Sequence, residues 1–418
     1  MSFRKALFWI HFAAGCTAGI VVLIMSVTGL LLSYQRQIIP WIDSFEWRSV
    51  QVGSERLPIE TLIARAGEAR GEVSPAVIVM RSDPAVPVEM TFGTSVIYVD
   101  PYTGAVLGEG SQAARTFFRT MTTWHRYVGA EGESRPIGKA ITGASNLAFL
   151  VLVVTGIYLW WPRTLNWMRL KTAMLFRRQA TSKARDWNWH TVSGFWTAIP
   201  LFFIVISATI ISYPWATDLL YYATGNEPPP RPAAAAPAAA ATQQAAQRPA
   251  AASAAAAPVD LAGLNALWDR AQQQETGWKI ITFRRPARAG NPAVFTLDRG
   301  NGGRPDLRST LTLDWQTAEV VRWQTFDGNN SGARLRQWLR WTHTGEVGGL
   351  FGQTIGFIAC LAGTLLVITG FALAWRRILG WRVRPVPAPA PISEPNFVRE
   401  PEPARLAQSR QTNAGLVE

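Results

Sequence analysis

Histidine, cysteine and charge are all scarce in this chain. Of 418 residues only four are His and two are Cys, and charged side chains make up 17% against 48% hydrophobic. Soluble domains carry about 25% charged residues, which argues against an all-soluble chain. Two Cys cannot build a disulfide framework or a Cys-rich zinc site, and neither lies in a C-x-x-C-H haem-attachment sequence. No G-x-G-x-x-G fingerprint marks a nicotinamide or flavin site.

Four apolar runs reach the roughly 20 residues that a bilayer crossing needs. They are Leu7 to Tyr34, Ile137 to Trp161, Trp187 to Trp215 and Gly348 to Trp375, and Lys139 near one end is their only Asp, Glu, Lys or Arg. Without ionisable groups at mid-span, an ion or substrate path through the bilayer is disfavoured. Arg4 and Lys5 precede the first run; Arg163, Arg169, Lys171, Arg177, Arg178, Lys183 and Arg185, against the single acid Asp186, separate the second from the third; Arg376, Arg377, Arg382 and Arg384 follow the fourth. The positive-inside rule puts these segments, and both termini, in the cytoplasm. Much of the net charge of +13 is thereby assigned to topology and lipid contact, and no nucleic-acid motif accompanies it. Ala13-Ala14-Gly15-Cys16 departs from a lipoprotein cleavage box and the apolar run continues past it, so the first span is expected to be retained. Cys16 and Cys360 are expected to be small packing residues.

The chain then divides into a transmembrane helix (1–35), an external domain (36–110), an interfacial amphipathic segment (111–136), a second transmembrane helix (137–161), a basic loop (162–186) and a third transmembrane helix (187–215). An Ala/Pro linker (228–258), a second external domain (259–327), a second amphipathic segment (333–347), a fourth transmembrane helix (348–375) and a tail (376–418) follow. In the first external domain, Leu57 to Arg70 has helical spacing, and Val77 to Met80, Val86 to Phe92 and Ser95 to Val99 suit strands. Asp100-Pro101-Tyr102-Thr103-Gly104 is a turn between strands. In the second, Leu261 to Gln274 suits a helix and Lys279 to Phe283, Ala293 to Leu297 and Ser309 to Leu313 suit strands. Asp314-Trp315-Gln316-Thr317-Ala318 occupies the turn position without its Pro or Gly.

The two halves therefore follow one plan, and the duplication places every histidine. Trp9-Ile10-His11 corresponds to Trp189-His190, and Trp124-His125-Arg126 to Trp341-Thr342-His343, at separations of 179 and 218 residues. The span endings Thr155-Gly156 and Thr369-Gly370 also correspond. His11 and His190 lie near the cytoplasmic ends of their spans, His125 and His343 on the external amphipathic segments, giving two pairs on opposite sides of the bilayer. One shared tetrahedral zinc site is incompatible with that separation. A pair of neutral imidazoles on one axis suits haem iron, and with both axial positions filled such a group favours electron transfer. Gly15, Gly19, Gly194, Gly345, Gly348 and Gly349 are candidates for letting a flat macrocycle approach. Arg4, Arg126 and Arg340 are candidate partners of haem propionates, with interfacial anchoring as the competing role.

These residues resemble the PepSY-associated transmembrane family, which includes bacterial inner-membrane ferric-siderophore reductases. The resemblance rests on the Asp100-Pro101-Tyr102-Thr103-Gly104 turn, the four His and the two Thr-Gly endings, and covers the chain up to about Trp381. It implies four transmembrane helices plus two extracytoplasmic α+β PepSY-like domains. It further implies two non-covalent b-type haems, on His11 with His190 and on His125 with His343, carrying electrons to ferric siderophore in the periplasm. The degenerate second turn and the long linker depart from the family pattern. The electron donor is then a separate cytoplasmic reductase or a membrane quinol. The rival assignment is a non-enzymatic sensor or scaffold whose external domains bind a periplasmic protein.

Overall fold

In chain order the helices are α1 (Phe3–Leu32), α2 (Gln35–Asp43), α3 (Ile59–Arg70), α4 (Gln112–Tyr127), α5 (Arg135–Trp160), α6 (Trp167–Met174), α7 (Ser182–Ser212), α8 (Pro214–Ala223), α9 (Leu264–Gln274), α10 (Ser331–His343) and α11 (Gly349–Arg382). The strands are β1 (Val77–Arg81), β2 (Val88–Phe92), β3 (Ser95–Val99), β4 (Val106–Glu109), β5 (Ile280–Arg284), β6 (Ala293–Asp298), β7 (Arg308–Leu313) and β8 (Val320–Gln324). This computed structural model describes residues 2–382 apart from 46, 48, 72–73, 163–165, 231–260, 287 and 289. Most of the Ala/Pro linker, Arg163 and the tail beyond 382, with Arg384, thus lie outside the described residues. Residues 1–376 form one unit, and of 377–418 only the end of α11 is described.

Helices α1, α5, α7 and α11 are long and apolar enough to cross a membrane, as their sequences predict. α1 packs on α5 and α5 on α7. α11 closes on α1 and α7 through Phe371 over Gly19, Cys360 beside Gly29 and Leu366 beside Gly194. Ile20 and Ile199 are 66% and 71% exposed on the outside of this bundle, where lipid rather than water suits them. Cys16 also faces outward, contrary to the packing role expected of it, while Cys360 is half-buried.

The external segments form the two α+β units expected, each a helix with four strands, and the two sheets join edge to edge into one antiparallel eight-stranded sheet, in the order β4-β3-β2-β1-β5-β6-β7-β8. The seam is β1 against β5, registered Val77 to Arg284 through Arg81 to Ile280. Each four-stranded unit would otherwise leave a bare edge, and edge pairing satisfies both rows of backbone groups. Period-two alternation sends Ile78, Met90, Ile97, Ile281, Phe283, Phe295 and Leu311 to one face, where α3 and α9 cover them in one core. The two helices cap each other: Glu60 N donates to Asn265 Oδ1 at 3.1 Å, and Asn265 N donates to Glu60 Oε1 at 3.0 Å.

Both turns use the same chemistry. Asp100 Oδ1 accepts from the backbone of Tyr102 and Thr103 at 2.8 and 3.0 Å, and Asp314 Oδ1 accepts from Gln316 and Thr317 at 2.9 and 3.0 Å. Ala318 takes the left-handed conformation (φ 56°) that Gly104 takes in the first half (φ 71°). The substituted turn therefore keeps its geometry, with the strain of a non-glycine residue at that φ.

Candidate functional site

The sheet meets the bundle at the C-terminal ends of α1 and α7. α2, which follows α1, ends at the fully buried Asp43. Its carboxylate accepts from Tyr98 Oη (2.6 Å), the Ser111 backbone (2.7 Å) and both Arg115 terminal nitrogens (2.9 and 2.6 Å). Burial alone would raise the Asp43 carboxyl; the hydrogen bonds from Arg115, Tyr98 and Ser111 outweigh it and hold the group below its ordinary value. This cluster fixes the start of α4, whose N-cap Ser111 accepts from Ala114 N. α10 begins in the same way at Asn330. After each of these helices the chain doubles back tightly: Gly138 abuts the Tyr127 carbonyl and Gly352 the Gly345 carbonyl, leaving no room for a Cβ.

These constraints lay the last turn of α4 against α1 and that of α10 against α7, and the four histidines meet in two pairs. At the sheet end, the His125 and His343 rings have centroids 6.2 Å apart with planes at 55°. At the far end, the His11 and His190 rings are 6.4 Å apart at 81°. His11 and Thr28 are 17 residues apart on α1, so the two sites are separated by about 25 Å along the bundle.

Each imidazole is held through Nδ1. His11 reaches Thr155 Oγ1 (2.9 Å), His190 reaches Thr369 Oγ1 (3.0 Å), His125 reaches Thr28 Oγ1 (3.1 Å) and His343 reaches Ser207 Oγ (3.3 Å). Nδ1 of His125 and His343 also lies 3.0 Å from the carbonyls of Met25 and Ile204, which can only accept. The hydroxyls of Thr28, Thr155, Thr369 and Ser207 donate to carbonyls of their own helices, which leaves their oxygens to accept. The proton therefore sits on Nδ1 and the Nε2 lone pair is free for a metal, the arrangement that orients metal-binding histidines. Burial lowers the pKa of both His125 and His343, favouring the neutral ligand form.

The spacing of the rings tests what the pairs can hold. Two imidazoles on opposite sides of one iron, each nitrogen about 2.0 Å from the metal and each ring centre about 1.1 Å behind its nitrogen, have centroids about 6.2 Å apart. Both pairs match. Among the described residues no three His, Cys, Asp or Glu cluster as a metal site, so these pairs suit a metal whose other ligands come from a macrocycle. Small residues line the rings: a Cβ on Gly156 or Gly370 would lie 3.5 Å from Cε1 of His11 or His190, and one on Gly29 would lie 3.2 Å from Cε1 of His125.

The sequence picks out all four histidines that the structure brings together in pairs, and misses part of their support. Thr28-Gly29 and Ser207-Ala208 do for His125 and His343 what Thr155-Gly156 and Thr369-Gly370 do for the other pair. The signal was available, since Thr28 and Ser207 are separated by the same 179 residues as His11 and His190. The glycines expected near a macrocycle serve otherwise: Gly19 lies under Phe371, Gly15 and Gly194 face Leu152 and Leu366, Gly345 belongs to a corner, and Gly348 and Gly349 face open space. Of the three arginines, Arg4 is committed to the end of α5, donating to the Leu159 and Trp161 carbonyls. Arg126 rests on the Tyr127 ring, 5.4 Å from its centroid, and its charge bears on both His343 and Arg340. Arg340 is one turn before His343. At the far end Asp186, one turn before His190, binds Arg185 and Arg376 and so ties α7 to α11.

A four-helix membrane bundle with a fused PepSY-like sheet on one end and paired histidines at both ends defines a multi-pass membrane protein of a recognisable class. The chain belongs to the family of the PepSY-associated TM region, which it matches over residues 8–377. A comparison with curated proteins finds no match.

Proposed function

We propose that this protein is a di-haem b electron carrier of the bacterial inner membrane, with both termini cytoplasmic, that reduces an acceptor on the sheet side. The observation that carries the reading is the pair of ring separations, 6.4 and 6.2 Å, with Nδ1 engaged at every histidine. When bound, such a group would supply a one-electron Fe(III)/Fe(II) couple. His11 and His190 would hold one group and His125 and His343 the other, with the Thr and Ser hydroxyls fixing the imidazole tautomers. No acid or base at mid-span offers a proton a path between the sites. Ferric siderophore is the favoured acceptor: one electron converts its Fe(III) to Fe(II), for which hard oxygen donors have lower affinity. The donor is a separate cytoplasmic reductase or a membrane quinol. The basic residues around α6 and after α11 support the orientation.

The test is a reduced-minus-oxidised absorption spectrum of detergent-purified protein, with haem per chain from pyridine haemochrome and the four single His→Ala variants alongside. Two b-type haems are expected, with His11→Ala and His190→Ala depleting one and His125→Ala and His343→Ala the other. A colourless protein after expression with ample haem, or four variants with unchanged spectra, would overturn the reading in favour of a membrane scaffold.

A further inference from the structure

Between α10 and the sheet face opposite the core lies a cavity of about 280 Å³, lined by Arg36, Thr296, Asp298, Arg308, Arg340 and Glu346 together with neighbouring side chains. Asp298 and Arg308 face each other in register across β6 and β7. The cavity holds donors without acceptors and an acceptor without a donor. Asp298 is 3% exposed, and its Oδ1 accepts from Gly300 N at 2.7 Å. Its Oδ2 is buried and has no hydrogen-bond partner among the described residues. Arg308 Nε is equally buried; it forms an ion pair with Asp298 Oδ2 at 3.6 Å, but the two atoms are too far apart to hydrogen-bond and neither has another hydrogen-bond partner among the described residues. The Arg308 and Arg340 guanidinium groups share one ring, 5.4 and 5.3 Å from the Trp341 centroid, and Arg340 makes no ion pair among the described residues. Arg36, by contrast, is tied to Glu346 and to the Asn301 carbonyl, so the unused hydrogen-bonding capacity belongs to Arg340 and to the loosely paired Arg308 and Asp298.

Buried polar groups left unmatched are costly, and a native cavity that gathers them is suited to a ligand that completes them. A simple carboxylate would satisfy the arginines and leave Asp298 Oδ2 facing a like charge. We propose that the cavity binds a small hydroxycarboxylate, its carboxylate on Arg308 and Arg340 and its hydroxyl donating to Asp298 Oδ2. Hydroxycarboxylates chelate Fe(III) through this same hydroxyl and carboxylate, so the site takes the iron-free form, the chelator left when reduced iron departs. Arg340 is one turn from His343, which puts that released chelator beside the sheet-side pair. That placement rests on the electron-carrier reading above, whereas the binding itself does not. The volume lies at the small end of ligand pockets and suits a molecule of citrate size.

Isothermal titration of the full-length, detergent-purified protein with iron-free citrate, and with its deoxy analogue tricarballylate, tests the site without any variant. Citrate is expected to bind about tenfold or more tightly than tricarballylate, because only citrate offers the hydroxyl to a charged acceptor. Arg308→Gln is expected to weaken citrate about tenfold or more while haem content and spectrum stay at the wild-type level. Absence of citrate binding, or equal binding of the two compounds, would overturn the proposal. So would an Arg308→Gln protein that loses haem where the wild type binds no citrate, since the cavity would then serve a propionate. A colourless protein that still selects citrate would sink the haem assignment and leave this site standing.

Discussion

Replacing Thr369 by Val keeps the volume of the side chain and removes one acceptor from His190 Nδ1, 3.0 Å away. The loss is one buried hydrogen bond, about 1 to 1.5 kcal/mol, or roughly tenfold in the affinity of the far-end pair for its group. The sheet-end pair, about 25 Å away, shares no hydrogen bond with Thr369 and should be unaffected. Haem loss to an excess of apomyoglobin, followed together with a redox titration that separates the two components, reads both sites in one sample. Only the component assigned to His11 and His190 should be released faster, and Thr28→Val should reverse the pattern. Equal loss from both sites, or none from either variant, would refute the idea that these hydroxyls orient the ligands.

Other consequences concern the frame that positions the pairs. Asp43→Asn leaves Arg115 and Tyr98 facing a neutral partner in a buried site, and a loss of about 3 kcal/mol in detergent unfolding experiments is expected. Because the Asp43 carboxyl lies below its ordinary 3.8, its contribution is complete above the unfolded value and is lost as pH falls through the folded one. Wild-type stability should accordingly drop below about pH 4, and Asp43→Asn should flatten that part of the profile. Gly138→Ala forces the α4–α5 corner open against the Tyr127 carbonyl, and a lowered melting temperature with depletion of the sheet-end component is expected. Shortening the 228–258 tract by about ten residues is expected to leave haem content unchanged, since so little of its composition can bury apolar surface.

Much of this molecule was legible before its structure. Spans of high apolarity admit few alternatives, and the helix and strand positions around Leu62, Ile78 and Phe283 follow from period alone. His11, His125, His190 and His343 were found because the duplication repeats them. What escaped was whatever depends on contact between distant segments. The β1–β5 seam joins strands more than 200 residues apart, and nothing in the alternation of Val77–Arg81 says which edge it will meet. The hydroxyl of Thr28 looks like ordinary helix polarity until His125 lies against it. Arg4 sits near a span end, as a propionate partner or an anchor would, and only the position of the α5 terminus shows that its donors are used elsewhere. α2, α6 and α8 were missed because each is short and flanks a longer apolar run.

The β1–β5 seam is symmetric about Val79 and Thr282, so each residue of one strand meets the counterpart of its mirror position in the other. That is the isologous contact two copies of one half would make across a two-fold axis. Each half also brings one histidine to each pair together with the hydroxyl that orients it: His11 with Thr155 and His125 with Thr28 in one, His190 with Thr369 and His343 with Ser207 in the other. A half-length chain would hold half of two sites and one bare strand edge. It would be complete only as a homodimer, and fusion of the halves gave each a freedom such a dimer lacks: Asp298 and Arg308 line one side of the sheet without having to be repeated on the other.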